Sequence, residues 1–431
     1  MAESFLDRIV AAPAVYDAST VAAAWDRLTA GPLDPHRRAS SPAKLLLDGV
    51  FGASPFLTRL ILSDPEVCAG FLQGAPERQL EALLAHTRAA ADAPTKDELK
   101  HSLRQAKARA ALLTGLCDLA GVWDVEAVTA ALTRFADAAV ETALGWLMRE
   151  AGASDDGLAG SGYVLIAMGK YGAFELNYSS DIDLIALFDP DTFRTGGGPN
   201  GRTPVHITRD LVNVLQDQTE HGYVFRTDLR LRPDPGSTAI AVSFPSAERY
   251  YEALGQNWER AAFIKARACA GDIEAGEAFL SMLQPFIWRK YLDYAAIEDV
   301  HSIKRQIHAS GKHGPIAVEG HNIKLGRGGI REIEFFVQTQ QLILGGRIPE
   351  LRERQTVPAL FRLSENGLIT PSTAEEMANS YAYLRSLEHR LQMIADEQTH
   401  TLPKTADGVD RVARLSGESE TRRFREQLLF H

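Results

Sequence analysis

Up to about residue 150 the apolar side chains of this sequence recur at helical spacing, but from Gly162 they contract into short runs with period-two character. That switch limits the fold more than any other feature, because a sheet must sit in the middle of a chain that is otherwise helical. Tyr163–Met168, Ile182–Phe188 and Val224–Arg232 read as strands, with a fourth at Ala239–Ser243, and a helix from about Pro204 to His221 falls between the second and third. The Gly-rich stretch Gly196–Gly201 reads as a loop. After Pro245 the spacing is helical again through Ala270 and on to about Ala309; a polar connector, Ser310–Pro315, precedes a further helical region. The expected class is α+β, predominantly helical: a small mixed sheet flanked by helices, with helical regions at both ends. The expected divisions are 1–123, an N-terminal helical region; 124–345, a catalytic core with a helical insertion; and 346–431, a C-terminal helical region.

Before the switch, two long helices are legible. Thr95 with Glu98 three residues on is a capping-box start, followed by an apolar stripe from Leu99 to Cys117; Asp124 caps a second stripe running from Val125 to Trp146. Both stripes are core packing. The length of 431 residues exceeds what one hydrophobic core normally serves. No apolar run approaches the roughly 20 residues of a membrane helix and the N-terminus has no secretory pattern, so a cytoplasmic protein without membrane contact is expected. Cys68, Cys117 and Cys269 are far apart, which argues against a disulfide framework or a cysteine zinc site. A net charge of -10 disfavours a nucleic-acid partner.

The chemistry concentrates after the first strand. Gly169-Lys170-Tyr171-Gly172 forms a glycine turn, and Ser179-Ser180 precede Asp181-Ile182-Asp183. Residues two apart on a strand share a face, so Asp181 and Asp183 aim at one place while Ile182 and Leu184 point away. Like charges that close raise each other's pKa unless a cation compensates, and oxygen ligands with room for phosphate suit Mg2+ or Mn2+. Asp228 is the third acid; on the strand Phe225–Arg232 it shares one face with Arg226, Arg230 and Arg232. Such a face would join a metal ligand to phosphate-binding guanidiniums. Gly169, Lys170, Gly172, Ser179 and Ser180 are candidates for the phosphate side, through backbone amides and hydroxyls. A half-exposed Asp-Ile-Asp strand is often only structural, and it is the glycine turn and Asp228 that tip the reading toward phosphoryl or nucleotidyl transfer.

A glycine turn, a paired acid on a strand and a third acid on a later strand resemble the nucleotidyltransferase superfamily. Within it, Gly169–Leu184, Asp228-Leu229-Arg230-Leu231-Arg232-Pro233, Tyr250-Tyr251-Glu252, Trp258-Glu259-Arg260, Ile264-Lys265-Ala266-Arg267 and Gly326–Phe335 resemble, in order, the blocks of the glutamine synthetase adenylyltransferase/adenylyl-removing family. Glu175-Leu176-Asn177-Tyr178-Ser179-Ser180-Asp181 is similar to the N-terminal, adenylyl-removing half. Tyr171, Ala173 and the Asp234-Pro235 step depart from the usual pattern at the phosphate-side turn. The resemblance implies a nucleotidyltransferase fold and phosphorolysis: phosphate attacks the α-phosphorus of AMP on a tyrosine of glutamine synthetase and ADP leaves. Asp181, Asp183 and Asp228 would be catalytic and hold two Mg2+ or Mn2+ ions, with phosphate and ADP or ATP as ligands. Arg230 and Arg232, then Lys265 and Lys304, would contact phosphate. Adenylylated glutamine synthetase, the PII signal protein and a second adenylyltransferase half beyond residue 431 are the implied partners. The competing readings are the forward, ATP-dependent adenylyltransferase and a noncatalytic nucleotide- or PII-binding module. Glu332 and Glu334 are left without a role, and His301 and His308 are expected on a helix surface.

Overall fold

The computed structural model describes residues 3–29, 31–37, 41–153, 158–193, 203–290 and 317–431. Lys304, His301, His308, the Ser310–Pro315 connector and the Gly196–Gly201 loop lie outside the described residues. Five strands form one mixed sheet: β1 (Tyr163–Met168), β2 (Ile182–Phe188), β3 (Thr227–Asp228), β4 (Ala241–Ser243) and β5 (Arg267–Gly271). β1 is central, antiparallel to β2 on one side and to β5 on the other. β3 and β4 both lie along the far edge of β2, each parallel to it. β1 is buried along its whole length, so the period-two character expected of this region is absent from it and both of its faces are apolar.

Helices cover both faces. Ile182, Leu184 and Ala186 of β2 enter a large core shared with the helices Lys96–Leu119, Val125–Glu150 and Pro204–Gln216. Ile185 and Leu187 point the other way, into a second core with Tyr251, Phe263 and Phe279 from the helices Phe244–Ala253, Asn257–Phe263 and Ile273–Met282. A third core joins the C-terminal helices Ile330–Leu344, Thr356–Glu365, Pro371–Met393, Ala406–Leu415 and Thr421–Phe430. Each fully buried Leu, Ile or Val in these layers contributes roughly 1.5–3 kcal/mol before chain entropy is set against it. The long N-terminal helices start at their expected caps, where Thr95 accepts from the Glu98 amide at 3.2 Å and Asp124 from the Ala127 amide at 2.8 Å.

Three expectations are corrected. β5 falls in a stretch expected to be helical; its sequence, Arg-Ala-Cys-Ala-Gly, carries no β-branched residue to announce a strand. The helix expected to reach His221 ends at Gln216. The third strand is two residues long rather than nine, because the Asp228 carboxylate accepts the Arg230 amide at 2.8 Å and turns the chain out of the sheet. Among the described residues no single helix is long and apolar enough to cross a membrane.

Candidate active site

Asp181 and Asp183 lie where β2 begins, and Asp228 ends the two-residue β3. Ile182 and Leu184 anchor β2 in the first core, which turns Asp181 and Asp183 to the other face of the sheet. Parallel register sets Asp228 beside Asp183, and Met168 at the end of β1 flanks Asp183 on its other side. Gly169 follows with φ +55°, and a Cβ there would lie 2.9 Å from Asp183 Oδ2. Glycine is what lets the carboxylate rest against the turn. Further along, Phe174 takes the left-handed conformation, φ +59°, and the Arg267 guanidinium lies 4.1 Å from its ring centroid.

Burial, then the Asp181 and Asp228 charges, push the Asp183 carboxyl up to about 7. Asp228 moves the opposite way because Arg230 clasps it, with Nε 2.9 Å and Nη2 2.5 Å from Oδ2. Asp181 Oδ1 accepts from Gln398 Nε2 at 2.7 Å. Carboxylates set together, one of them short of counter-charge, are a donor set that suits a hard divalent cation. Among the described residues no three His, Cys, Asp or Glu side chains already stand as a ligand cluster. Asp228 turns its oxygens to Arg230, a side chain that is itself 83% exposed.

A cleft of about 310 Å³ opens over Asp181 and Asp183, while Asp228, Arg230 and Arg232 are not among the residues that line it. Of the residues expected at the site, it is lined by Gly169, Lys170, Ser180, Asp181, Asp183 and Lys265. Its other wall comes from Lys324, Arg331, Glu334, Gln398 and His400, none of which the local strand pattern could nominate. A more spacious cleft, about 650 Å³, lies among Phe56, Lys107, Tyr223 and Asp396. It contains none of the three acids, so volume does not identify the site.

Other expected phosphate contacts are differently employed. Arg232 spends its guanidinium on the carbonyls of Leu229, Pro235, Thr238 and Ala239, which it ties into one loop. Arg226 donates to Tyr223 OH at 2.5 Å and to the Ser179 carbonyl at 2.7 Å. The guanidinium face expected around Asp228 therefore does not form, since it required the strand to continue. Ser179 is buried; its amide donates to Gln392 Oε1 at 2.8 Å. Gly172 is needed for packing, because a Cβ would sit 2.0 Å from the Lys265 carbonyl oxygen. Neither faces the cleft. Lys265 reaches its floor but its Nζ lies 2.5 Å from Glu175 Oε2, in a buried pair that also engages Thr356.

Behind the cleft wall the charges are fully engaged. Arg385 donates to Asn177 Oδ1 at 3.0 Å, to the Glu175 carbonyl at 2.6 Å and to Tyr381 OH at 2.6 Å. Glu388 meets Lys170 at 3.2 Å, Arg385 at 3.4 Å and His400 at 2.5 Å. Burial lowers Lys170 to about 8, with Glu388 offsetting part of that loss. Glu334, also set inside this cationic group, is held at about 2: burial pushes it up, but Lys265, Lys170 and Arg331 outweigh that.

Residues 45–282 match the family described as glutamate-ammonia ligase adenylyltransferase, and residues 301–431 match GlnD PII-uridylyltransferase. Among curated proteins, the bifunctional glutamine synthetase adenylyltransferase/adenylyl-removing enzyme of Mesorhizobium japonicum is 52% identical over 88% of this chain and 40% of its own length. The enzyme of that name from Bradyrhizobium diazoefficiens is 50% identical over 89% and 40%, and one from Rhodopseudomonas palustris 48% identical over 98% and 44%. The chain thus spans about two fifths of the length of these relatives. With the acid-bearing sheet inside the first matched region, the chain belongs to the glutamate-ammonia ligase adenylyltransferase family.

Proposed function

We propose that this chain removes AMP from an adenylylated tyrosine of glutamine synthetase by phosphorolysis. The observation that carries the reading is that strand register sets Asp181, Asp183 and Asp228 on one face of the sheet, with Asp183 raised to about 7 by burial and by the Asp181 and Asp228 charges. A phosphate oxygen attacks the α-phosphorus, the bond from phosphorus to the tyrosine oxygen breaks, and the phenolate takes up a proton; ADP and free tyrosine result. Asp181 and Asp183 would hold Mg2+ or Mn2+, joined by Asp228 once Arg230 lets go. Divalent ions bound there supply positive charge for the phosphoryl oxygens and the departing phenolate. Lys170, Lys324 and Arg331 line the same cleft and add a positive field for two phosphate groups.

The adenylyl-removing direction is supported by the Glu175–Asp181 run, and two of its residues are structural anchors: Glu175 on Lys265 and Thr356, Asn177 on Arg385. The partners that follow are adenylylated glutamine synthetase as substrate, PII as regulator, and the remainder of the longer enzyme to which the relatives' names assign both activities. The test is to incubate the chain with adenylylated glutamine synthetase, magnesium and phosphate and to measure ADP, with Asp181→Asn/Asp183→Asn as control. Phosphate-dependent ADP that the double variant abolishes is the expected result. AMP incorporation from ATP without ADP release would turn the reading to the forward reaction, and neither activity would leave a binding module.

A further inference from the structure

The same cleft has an apolar end that the acids and lysines do not explain. Trp258, Ala261 and Ala262 stand at helical spacing on the helix Asn257–Phe263, Lys265 follows in the turn after it, and all four line the cleft. The two alanines leave open space between the indole and the cationic end. The helix Ile330–Leu344 also lines the cleft, with Arg331 and Glu334 from its first turns, then Phe335, Gln338 and Thr339, and Leu342 near its end. Arg331 and Leu342 are 11 positions apart, about 16 Å along the helix. Charge at one end and flat apolar surface at the other match a ligand with phosphates at one end and an aromatic ring at the other.

Trp258 is set apart from the other tryptophans. Trp25, Trp123, Trp146 and Trp288 are 4–8% exposed and packed into cores, whereas Trp258 is 43% exposed. Trp25, Trp123 and Trp146 also donate their indole N–H to a protein oxygen, at 2.7, 2.9 and 2.8 Å. We propose that Trp258 is the stacking platform for the nucleobase of a nucleotide whose phosphates lie toward Lys265 and the acids, which makes it the residue that distinguishes nucleotide from free polyphosphate. This rests on reading the cleft as a nucleotide site. An indole face stacks on any base, and stacking of this kind changes affinity about tenfold or more per base.

The experiment is calorimetric titration of the whole chain, in magnesium, with ADP and separately with pyrophosphate, which has no base. For Trp258→Ala the expected result is ADP binding weakened about tenfold or more, with pyrophosphate binding unchanged. Trp258→Phe, which keeps an aromatic face, restores most of the ADP affinity. ADP binding within twofold of the parent in Trp258→Ala overturns the proposal; that would also be the outcome if the target tyrosine, rather than the base, used this surface. Equal loss for both ligands overturns it too, since the residue would then serve the phosphate end or the local fold. A parent chain that binds pyrophosphate but gains nothing from the base refutes Trp258 alone; one that binds neither ligand removes the nucleotide reading along with it.

Discussion

Two carboxylates a few residues from the same cleft have opposite electrostatic fates. Asp183 is driven up to about 7 by burial and by Asp181 and Asp228. Glu388 is more deeply buried, which also pushes it up, yet Lys170, the His400 hydrogen bond and Arg385 hold it well below the usual carboxylate range. Burial is common to both, so the difference lies in the partners. Glu388 is neutralised from within the protein and belongs to the scaffold that joins the Pro371–Met393 helix to the sheet. At Asp183 the Lys324 and Arg230 charges offset only part of burial and of the like charges, a position a protein tolerates where a ligand is to bring the opposite charge.

The largest effect should come from breaking the engaged region. Arg385→Met leaves Glu388, the Asn177 side chain and the Glu175 carbonyl without a shared donor, and is expected to cost roughly 3–5 kcal/mol in urea unfolding. Adding Glu388→Gln should return part of that loss, because the unpaired buried charge is then gone. A cost below about 1 kcal/mol for Arg385→Met would break the contrast, since the network would not then be holding the two regions together.

At Asp183 the sign reverses. Between about pH 4 and pH 7 the folded chain keeps a proton there that the unfolded chain releases, so stability falls as pH rises through that window and stays low above it. Asp183→Asn should therefore stabilise the metal-free protein at pH 8, by roughly 2–4 kcal/mol, and have little effect at pH 4. Magnesium should raise the melting temperature of the parent at pH 8 and leave that of Asp183→Asn nearly unchanged. If Asp183→Asn destabilised the protein at pH 8, the carboxylate would be a satisfied structural group and the two regions would be alike.

What was legible in advance follows the same division between local pattern and distant partner. β1 and β2 stand out because an apolar run buried on both faces has few other interpretations, and Asp181 and Asp183 follow from strand alternation alone. β5 was not legible: Ala268, Cys269 and Ala270 are small residues that pack equally well in a helix, and only pairing with β1 makes them a strand. Gln398 and His400 come from a loop more than 200 residues beyond Asp181 and Asp183, and no local spacing connects them. The Gly326–Phe335 block was the available signal for Arg331 and Glu334, but a charged helix start looks the same whether it faces solvent or a cleft. Arg230 and Arg232 were placed on one strand face by alternation that the Asp228 turn interrupts; Pro233, Asp234, Pro235 and Gly236 close behind were the cue that the strand could not continue.

Those two arginines supply the smallest and most discriminating test, because they are two residues apart and do different things. Arg232 satisfies four loop carbonyls, so Arg232→Ala should cost about 1–2 kcal/mol in urea unfolding, the loss expected when several partly exposed hydrogen bonds go together. Arg230→Ala should lower stability only slightly, since its pairing with Asp228 lies at the surface and is screened by solvent. Its effect belongs to the cleft. With the clasp gone, the Asp228 carboxyl rises toward its ordinary value and its oxygens are free to turn to Asp183, so magnesium binding by calorimetry should tighten. Should magnesium affinity be unchanged while phosphate affinity falls, Arg230 would be a phosphate contact and Asp228 would take no part in holding the cation, which narrows the undercompensated region to Asp181 and Asp183.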